Sequence, residues 1–483
     1  MNQKLVLYTL LSACIFQMAC AKEPVVSVIE ETDPDIPVTN DYTVSIETKG
    51  TTQALTCYDL MGPSQKLYDK GYSKRPVFVH TSLSDGAMEV KIQFATAVGR
   101  AGDEVIIRPL SLNIVPVVEG NTISFSIAQP TRLSIEIGGN LMRPLLFFAD
   151  PPEDESTIPD PSGAGVHYFK KGRELVLKDN DIVYLEAGAV VEGAIWAQAK
   201  NVKILGRGIF YYKDNLSLPR DQGEANARWG GHPFRFLHAD NLLIDGPVFV
   251  NAQETWTMVP YHCNNATFRN IEIISKIKDG FDPIANTNLR LSDSFIMSND
   301  DCISPKTKGI PGNIDHNLFE NLVLFNSGGG WAIRLGGENS ESEYLQNITF
   351  KNIDIIHALS PEANQDEKHN GAIAIIAVLE GEYRDILFDN IRIEPLDEPA
   401  LFRMYIGDMY FHTGGPYTNI HDVIFKDIHV SGSISPSTFI GRGANHKISN
   451  ITFDNLQYNG KKIMDRKEAM FNANEYVSEI TFK

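Results

Sequence analysis

A repeated pattern in the second half of the chain constrains the fold most strongly. Seven segments each carry a short run of alternating apolar residues, then Asn or Asp, and then a second short run, as in NITFKNIDII (347–356). Successive copies are 23, 28, 31, 38, 37 and 28 residues apart. Because the period varies and the apolar residues alternate with period two, a helical repeat is excluded. The large apolar residue that marks each copy is Phe268, Leu291, Phe319, Phe350, Phe388, Phe425 or Phe453.

This pattern predicts a right-handed parallel β-helix, in which each coil adds strands to long sheets and extra residues form loops. The marker residues should stack inside the coil. An Asn or Asp follows each marker by two residues, and these types tolerate the tight backbone of a turn and can bond along the stack. We expect an all-β chain whose β-helix catalytic domain covers residues 164–483. The turn residues are Asn270, Asp293, Asn321, Asn352, Asn390, Asp427 and Asn455.

The pattern of residues 41–150 predicts a separate domain in front of the β-helix. They contain seven short runs of alternating apolar residues separated by Gly, Asp and Pro, among them YTVSIET, MEVKIQFA and RPLLFFAD. Short strands at this spacing are typical of a small antiparallel β-sandwich. The stretch PPEDESTIPDPSG, residues 151–163, then predicts a linker to the β-helix.

Residues 1–20 predict a lipoprotein-type signal peptide. Their apolar run, residues 5–19, is shorter than the about 20 residues that span a bilayer. LSAC (11–14) resembles the bacterial lipobox and MAC (18–20) is a second candidate, so Cys14 or Cys20 would carry the lipid. A plain secretory signal cut near Ala21 is the alternative. Residues 21–40 would form a tether, which predicts an exported, periplasmic or outer-membrane-associated lipoprotein of a bacterium.

Charge and cysteine content restrict the partners. The chain has 61 acidic and 43 basic residues, a net charge of −18, which disfavours nucleic acid and anionic surfaces. We therefore expect contact with a membrane only through the lipid anchor. Cys57, Cys263 and Cys302 are far apart, odd in number and without metal-ligand spacing, so buried free thiols are expected. We expect a monomer that needs no cofactor and no metal.

One lone aspartate and one aspartate pair are a single coil apart in the repeat. Asp279 lies 11 residues past the marker Phe268, and Asp300 and Asp301 lie 9 and 10 residues past Leu291. Adjacent strands are about 4.8 Å apart, so the three carboxylates should share one patch of surface. Like charges this close would keep at least one proton near neutral pH, as a glycosidase needs for its general acid. Solvated turn aspartates or a calcium site are the alternatives.

These residues resemble the motifs of known families. Asp279-Gly280, Asn299-Asp300-Asp301-Cys302-Ile303 and Lys306 resemble glycoside hydrolase family 28, the polygalacturonase family, which has the parallel β-helix fold. The front sandwich, residues 166–196 and QETWTMVP (253–260) are similar to family 49, the dextranase and isopullulanase family, which adds an N-terminal β-sandwich. The resemblance implies an inverting glycosidase. It implies that Asp300 is the general acid and that Asp279 and Asp301 hold and deprotonate the attacking water.

The sequence departs from family 28 after the aspartate pair. The family's Gly-His-Gly and Arg-x-Lys motifs give way to SGGGWAIRLGGE (327–338), where Gly330 or Trp331 replaces the histidine and Arg334 has no lysine two residues later. A single arginine binds a carboxylate less well than an Arg/Lys pair. We therefore predict a neutral glycan as substrate, bound by Lys306 and Arg334. Trp331 and Trp256 are candidates to stack on a sugar ring or to lie in the core.

Three other functions stay open at this point. A polygalacturonase-type pectin hydrolase would keep the usual family 28 substrate. A calcium-dependent polysaccharide lyase would bind the metal through these aspartates and use Lys or Arg as base, but no second basic residue is evident near them. A non-catalytic glycan-binding β-helix would not need three converging carboxylates. The sequence therefore favours a glycosidase that degrades a polysaccharide or oligosaccharide.

Overall fold

The computed structural model of the protein describes residues 36–59, 74–83, 86–172, 175–213, 231–308, 311–338, 342–358, 370–378, 381–394, 400–409 and 414–483. The signal peptide with Cys14 and Cys20, and residues 21–35 of the tether, lie outside the described residues. Within them the chain is almost entirely β-structure, with two short 3₁₀ helices, Leu110–Leu112 and Glu155–Thr157. No helix in these ranges is long and apolar enough to cross a membrane.

The first part of the chain is a sandwich of two five-stranded sheets. One sheet has the order β2-β1-β5-β8-β7 and the other the order β3-β4-β10-β9-β6, and all pairs are antiparallel except β4 with β10. The sequence predicted only seven strands because β2 and β7 are exposed, without apolar alternation, and β3 is two residues long. The strands are β1 Tyr42–Thr48, β2 Thr51–Leu55, β3 Tyr58–Asp59, β4 Val77–Ser82, β5 Met88–Phe94, β6 Val105–Arg108, β7 Val117–Glu119, β8 Thr122–Ile127, β9 Thr131–Ile137 and β10 Leu145–Asp150.

The end of the predicted tether belongs to the sandwich. Val38 forms an antiparallel bridge with Tyr58, and the backbone N–H of Thr39 donates to the carbonyl of Cys57 at 3.0 Å. Ile36 is buried. The predicted boundary at residue 40 is therefore wrong by about four residues, because the apolar Ile36 and Val38 were too few to show a strand pattern.

The rest of the chain is the right-handed parallel β-helix that the repeat predicted. Its longest sheet contains the strands Val166–Gly172, Ile182–Glu192, Lys203–Gly206, Ile209–Tyr212, Leu243–Asp245, Val248–Asn251, Thr267–Arg269, Glu272–Ser275, Arg290–Ser298, Ile314–Asn326, Tyr344–Ala358, Glu382–Tyr383, Ile386–Ile393, Ile420–Val430, Ile448–Tyr458, Lys461–Lys462 and Ile480–Phe482. A four-stranded sheet contains Leu175–Leu177, Ile195–Ala197, Phe234–Leu237 and Met258–Tyr261. A five-stranded sheet contains Gly330–Gly336, Asn370–Ala377, Ala400–Ile406, Ser437–Ile440 and Phe471–Ala473.

The predicted stack and the predicted turns are both confirmed. The seven marker residues are register partners on successive coils and are fully buried. The rings of Phe350 and Phe388, for example, stack with centroids 4.9 Å apart. The seven turn residues all have φ between 51° and 63°, in the left-handed region that Asn and Asp tolerate. Their side chains bond from coil to coil, as where Asn352 Nδ2 donates to Asn321 Oδ1 at 2.8 Å.

The sandwich and the β-helix share a buried interface. Two ion pairs cross it: Arg132 Nε lies 3.1 Å from Glu272 Oε1, and Arg108 Nη1 lies 2.6 Å from Glu394 Oε2. Both pairs are buried, so neither part can leave the other without exposing or unpairing charges. The apolar cluster at this interface includes Phe78, Leu146 and Phe148 from the sandwich and Ile274, Phe295 and Phe325 from the β-helix.

Candidate active site

The face of the β-helix formed by its four- and five-stranded sheets is interrupted at two coils. Pro283 and Pro305 lie on these coils, and proline has no N–H to donate to a β ladder. Their carbonyls still accept from the next coil, where the N–H of Lys306 donates to Pro283 at 3.1 Å. The coils therefore stay stacked without forming regular strands. The parallel register continues through the single bridges Met258–Phe281, Phe281–Ile303 and Ile303–Ile333.

The three predicted aspartates meet at this interruption. Asp279 lies on the first of the two coils, and Asp300 and Asp301 begin the second. One carboxylate oxygen from each residue lies within 4.8 Å of one from each of the others. The N–H of Gly280 donates to the carbonyl of Asp301 at 2.8 Å, which holds the two coils in register. The convergence that the one-coil spacing predicted is confirmed.

The aspartates are not the surface patch that we expected. Asp279 is 2% exposed and Asp301 is 0% exposed, whereas the side chain of Asp300 is 33% exposed. A tight turn brings the two neighbouring carboxylates to one side. Ser298 Oγ and Asn326 Nδ2 both donate to the carbonyl of Asp300, at 2.6 and 2.8 Å, and so fix that turn. Asp300 is thus the member of the three that solvent reaches.

Two glycines allow this close packing. Gly330 has φ of +67°, and a Cβ there would lie 2.5 Å from Asp300 Oδ1 and 2.7 Å from Asp301 Oδ1. Gly280 has equally little room, since a Cβ would lie 2.5 Å from the side chain of Ile296. No side chain, and therefore no histidine, fits at residue 330 while the aspartates keep these positions.

Each aspartate has a basic side chain of its own. Lys306 Nζ lies 3.3 Å from Asp279 Oδ2, Arg334 Nε lies 2.9 Å from Asp301 Oδ2, and Lys278 Nζ lies 3.6 Å from Asp300 Oδ2. The backbone N–H of Trp331 also donates to Asp301 Oδ1 at 2.8 Å. Three acidic residues at this distance could hold a cation by geometry alone. The three basic groups already neutralise them, which disfavours a metal ion here.

The predicted substrate contacts of Lys306 and Arg334 are wrong for this structure. Lys306 is 0% exposed and Arg334 is 5% exposed, so both lie beneath the carboxylates. Besides Asp279, Lys306 contacts Asp282 Oδ1 at 2.6 Å and Glu338 Oε2 at 3.5 Å. Sequence spacing could not show this burial, because it depends on residues that other coils bring over the two side chains.

Asp282 and Glu338 are site residues that sequence reasoning missed. Asp282 stands three residues after Asp279, in DGFD, and Glu338 stands four residues after Arg334. Burial, the charge of Asp279 and a hydrogen bond to it raise the pKa of Asp282 well above its usual value. Burial alone would raise the pKa of Glu338, but Lys306, Arg334 and Lys308 lower it to about 2. The available signal was that each is an acidic residue within four positions of a predicted site residue.

The same electrostatics act on the aspartate pair. Burial and the charge of Asp279 raise the pKa of Asp300, although Lys278 and Arg334 oppose this. Burial raises the pKa of Asp301 to about 8 against the opposing charge of Arg334. Because the carboxylates are so close, their protons are shared and the titration belongs to the cluster. The cluster therefore holds at least one proton at neutral pH.

Neither tryptophan is a sugar platform. Trp331 is completely buried and packs against Ala374, Ile376 and Val378. Trp256 is 9% exposed: the ring of His232 stacks on it with centroids 4.9 Å apart, and Lys306 Nζ lies 3.9 Å from its centroid. The core alternative is therefore the correct one for both residues. Cys57, Cys263 and Cys302 are free, buried thiols, as predicted.

The chain is similar in sequence to polygalacturonases and in fold to a solved Dex49A structure. A polygalacturonase of Ralstonia solanacearum is 29% identical over 192 residues, covering 38% of this chain and 33% of that protein. A probable endopolygalacturonase D of Neosartorya fischeri is 23% identical over 264 residues, covering 53% and 48%. The chain thus spans about a third to a half of these relatives' length. Dex49A from Penicillium minioluteum shares the fold, with a TM-score of 0.55 and 14% identity over 93% of this chain and 95% of that one.

The family model of the glycosyl hydrolases family 28 matches residues 204–475. This stretch covers more than half of the 483 residues and includes all three aspartates. The chain therefore belongs to glycosyl hydrolases family 28.

Proposed function

We propose that the protein hydrolyses the glycosidic bonds of a polysaccharide or oligosaccharide with inversion, using Asp279, Asp300 and Asp301. The observation that carries this proposal is the convergence of the three carboxylates within 4.8 Å. Family membership supplies the reaction class, and the one-third exposure of Asp300 gives the substrate a carboxyl to meet.

Asp300 is the general acid in this proposal. It is the most exposed of the three carboxyls, and its pKa is raised, so that it can keep a proton until the leaving oxygen takes it. Asp301 accepts from the Trp331 N–H and contacts Arg334, and both contacts favour its ionised form. Burial raises the pKa of Asp301 to about 8, but Asp301 is 0% exposed, so the shared proton must lie on the exposed Asp300 to reach a leaving oxygen.

Asp279 and Asp301 orient and deprotonate the water. The two side chains lie on adjacent coils, and Lys306 and Arg334 hold one oxygen of each from below. That arrangement leaves Asp279 Oδ1, and the second lone pair of Asp301 Oδ1, which also accepts from the Trp331 N–H, to accept hydrogen bonds from a water next to the sugar carbon. Ionised carboxylates held in this way are suitable general bases.

We propose a neutral glycan as the substrate class. Arg334 is buried and engaged by Asp301 and Glu338, at 2.9 and 3.8 Å. On the next coil, the register partner of Arg334 is Ala374, and the residue two positions further along that strand is Ile376. Neither side chain carries a positive charge that could bind a sugar carboxylate. A substrate that needs such a cation would bind weakly here.

A galacturonate polymer is the second candidate. Its support is that the relatives of similar sequence are polygalacturonases by name. The position of Lys278 also favours it, since this partly exposed cation lies beside Asp300. The lyase hypothesis has less support, because the basic residues beside the aspartates are engaged by them: Lys306 and Arg334 are buried in ion pairs, and Lys278 lies 3.6 Å from Asp300.

A substrate screen separates the two candidates. Reducing-sugar release should be measured on dextran, pullulan, polygalacturonate, rhamnogalacturonan and red-algal galactans, with Asp300→Asn as the blank. We expect the best neutral glycan to be hydrolysed at least about tenfold faster than polygalacturonate, which corresponds to about 1.4 kcal/mol of transition-state binding. A preference for polygalacturonate would refute the neutral-glycan proposal, and no release from any polymer would refute the hydrolase proposal.

The first-formed anomer tests inversion. The nearest carboxylate oxygens lie within 4.8 Å, whereas inverting pairs are usually separated by about 6.5–9.5 Å and retaining pairs by about 5–5.5 Å. Inversion therefore depends on two aspartates sharing the water, not on a wide separation. Proton NMR during hydrolysis of an α-linked substrate should show the β anomer first. The α anomer appearing first would instead indicate that one aspartate acts as a nucleophile.

A further inference from the structure

In the described part of the chain, the sheet face that carries the site offers little exposed surface. Register partners on successive coils form rows of side chains that point away from the β-helix core. Eleven side chains in these rows are each at most 9% exposed. The rows extend over seven coils, from the strand Phe234–Leu237 to the strand Ala400–Ile406, which is about 29 Å at the strand spacing. The buried positions include His232, Trp256, Trp331, Arg235, Val259, Ser304, Ala374, Arg403, Leu237, Tyr261 and Ile376.

Solvent reaches the aspartate cluster through Asp300. The side chains of Asp300 and Lys278 are 33% and 35% exposed and lie at the turn that precedes the buried face. Gly328 and Gly329 on the next coil are partly exposed as well. The opening is therefore at the edge of the sheet, where the chain turns into it.

The sandwich borders this opening. Lys74 donates to the carbonyl of Ser327, three residues before Gly330, which packs on the aspartate pair. Lys276, three residues before Asp279, is 9% exposed. A chain that followed the turns from coil to coil would meet these residues.

We propose that the site is a pocket that takes the end of a glycan chain, not a groove that binds a chain along its length. This inference rests on the proposed hydrolase function and adds the mode of attack. A sugar unit in an extended chain spans about one coil of 4.8 Å, so mid-chain binding along the sheet would need exposed contacts on several successive coils. The buried residues named above provide none as far as the strand Asn370–Ala377, and on the following coil Ala400 and Tyr405 are partly exposed. The sandwich occupies the neighbouring edge.

The products of hydrolysis test this proposal. The polymer with the largest release in the screen should yield one short product from the first minutes, while size-exclusion chromatography shows little change in polymer length. An early ladder of intermediate lengths with rapid shortening of the polymer would overturn it. Asp300→Asn serves as the control that the products come from this site. Absence of hydrolysis on every polymer would instead overturn the proposed function, and the two failures are therefore distinguishable.

End-blocked oligosaccharides give a second readout. One set is blocked at the non-reducing end and a matched set at the reducing end. Because a pocket must admit the terminal unit, one of the two blocks should lower kcat/KM at least about tenfold. Equal kcat/KM for both blocked sets and for the unblocked oligosaccharide would overturn the proposal.

Discussion

Asp300→Asn is expected to lower kcat by about 10²- to 10⁴-fold, the usual contribution of a general acid. The amide cannot give a proton to the leaving oxygen. The side chain is one-third exposed and the substitution keeps its size, so no cavity forms and the free energy of unfolding should change by less than about 0.5 kcal/mol. Steady-state kinetics on the best substrate and denaturant unfolding measure the two quantities.

Asp293→Asn is the matched control for this change. Asp293 lies on the same coil as Asp300, with φ of 51°, and accepts from Asn321 Nδ2 at 3.0 Å. Asparagine tolerates that backbone and keeps an acceptor oxygen, so kcat should be unchanged. Near-normal turnover by Asp300→Asn, or an equal loss in Asp293→Asn, would contradict the assignment of the acid.

The pH dependence follows from the same proton. A carboxyl whose pKa is raised stays protonated above its usual range, and activity is lost as pH rises through the raised value. The wild-type rate should therefore fall on the alkaline side as the cluster that includes Asp300 and Asp301 loses its shared proton.

The coil pattern and the convergence of the aspartates could be predicted from the sequence, because both depend on the number of residues in each coil. Phe268 and Leu291 mark equivalent positions on adjacent coils, and the register that they define brings Asp279 next to Asp300. Any residue at a known offset from a marker can be placed in this way. The coil period therefore predicts where the backbone of each site residue lies.

Burial could not be read in this way. Trp331 and Trp256 stand close to the motifs, and their chemistry suits a sugar face, yet both are buried. One of the groups that cover the Trp256 ring is Lys306, which is 50 residues later in the sequence and two coils away. Contacts between rows of side chains depend on rotamers and on covering residues, neither of which a strand period specifies.

The departures from the usual family 28 motif now have one physical explanation. Gly330 leaves room for Asp300 and Asp301, and Arg334 neutralises Asp301 from below. Lys306 does the same for Asp279 and links it to Asp282 and Glu338. The cations of this site therefore support the carboxylates. A role in gripping the substrate would require them to be exposed.

Lys306→Met is expected to have the largest effect on the fold of any single change at the site. The ammonium is completely buried and contacts Asp279 at 3.3 Å, Asp282 at 2.6 Å and Glu338 at 3.5 Å. Removing one partner from a buried ionic cluster usually costs about 3–5 kcal/mol, because the remaining charges are left without compensation. Denaturant unfolding should show this loss. Burial alone would lower the pKa of Lys306, but its acidic neighbours raise it, so the cation is present in the wild type.

The change should also act on catalysis through the pKa of the bases. Lys306 lowers the pKa of Asp282, Asp300 and Asp301, so its removal raises them, and the carboxylates that must be ionised then need a higher pH. The acidic limb of the pH–rate profile should therefore move to higher pH, with kcat reduced more than KM is raised. Lys308→Met is the control, since Lys308 reaches the cluster through Glu338, and it should keep most of kcat and lose less than half as much stability. A Lys306→Met enzyme with an unshifted profile would show that Lys306 only fills space beneath Asp279.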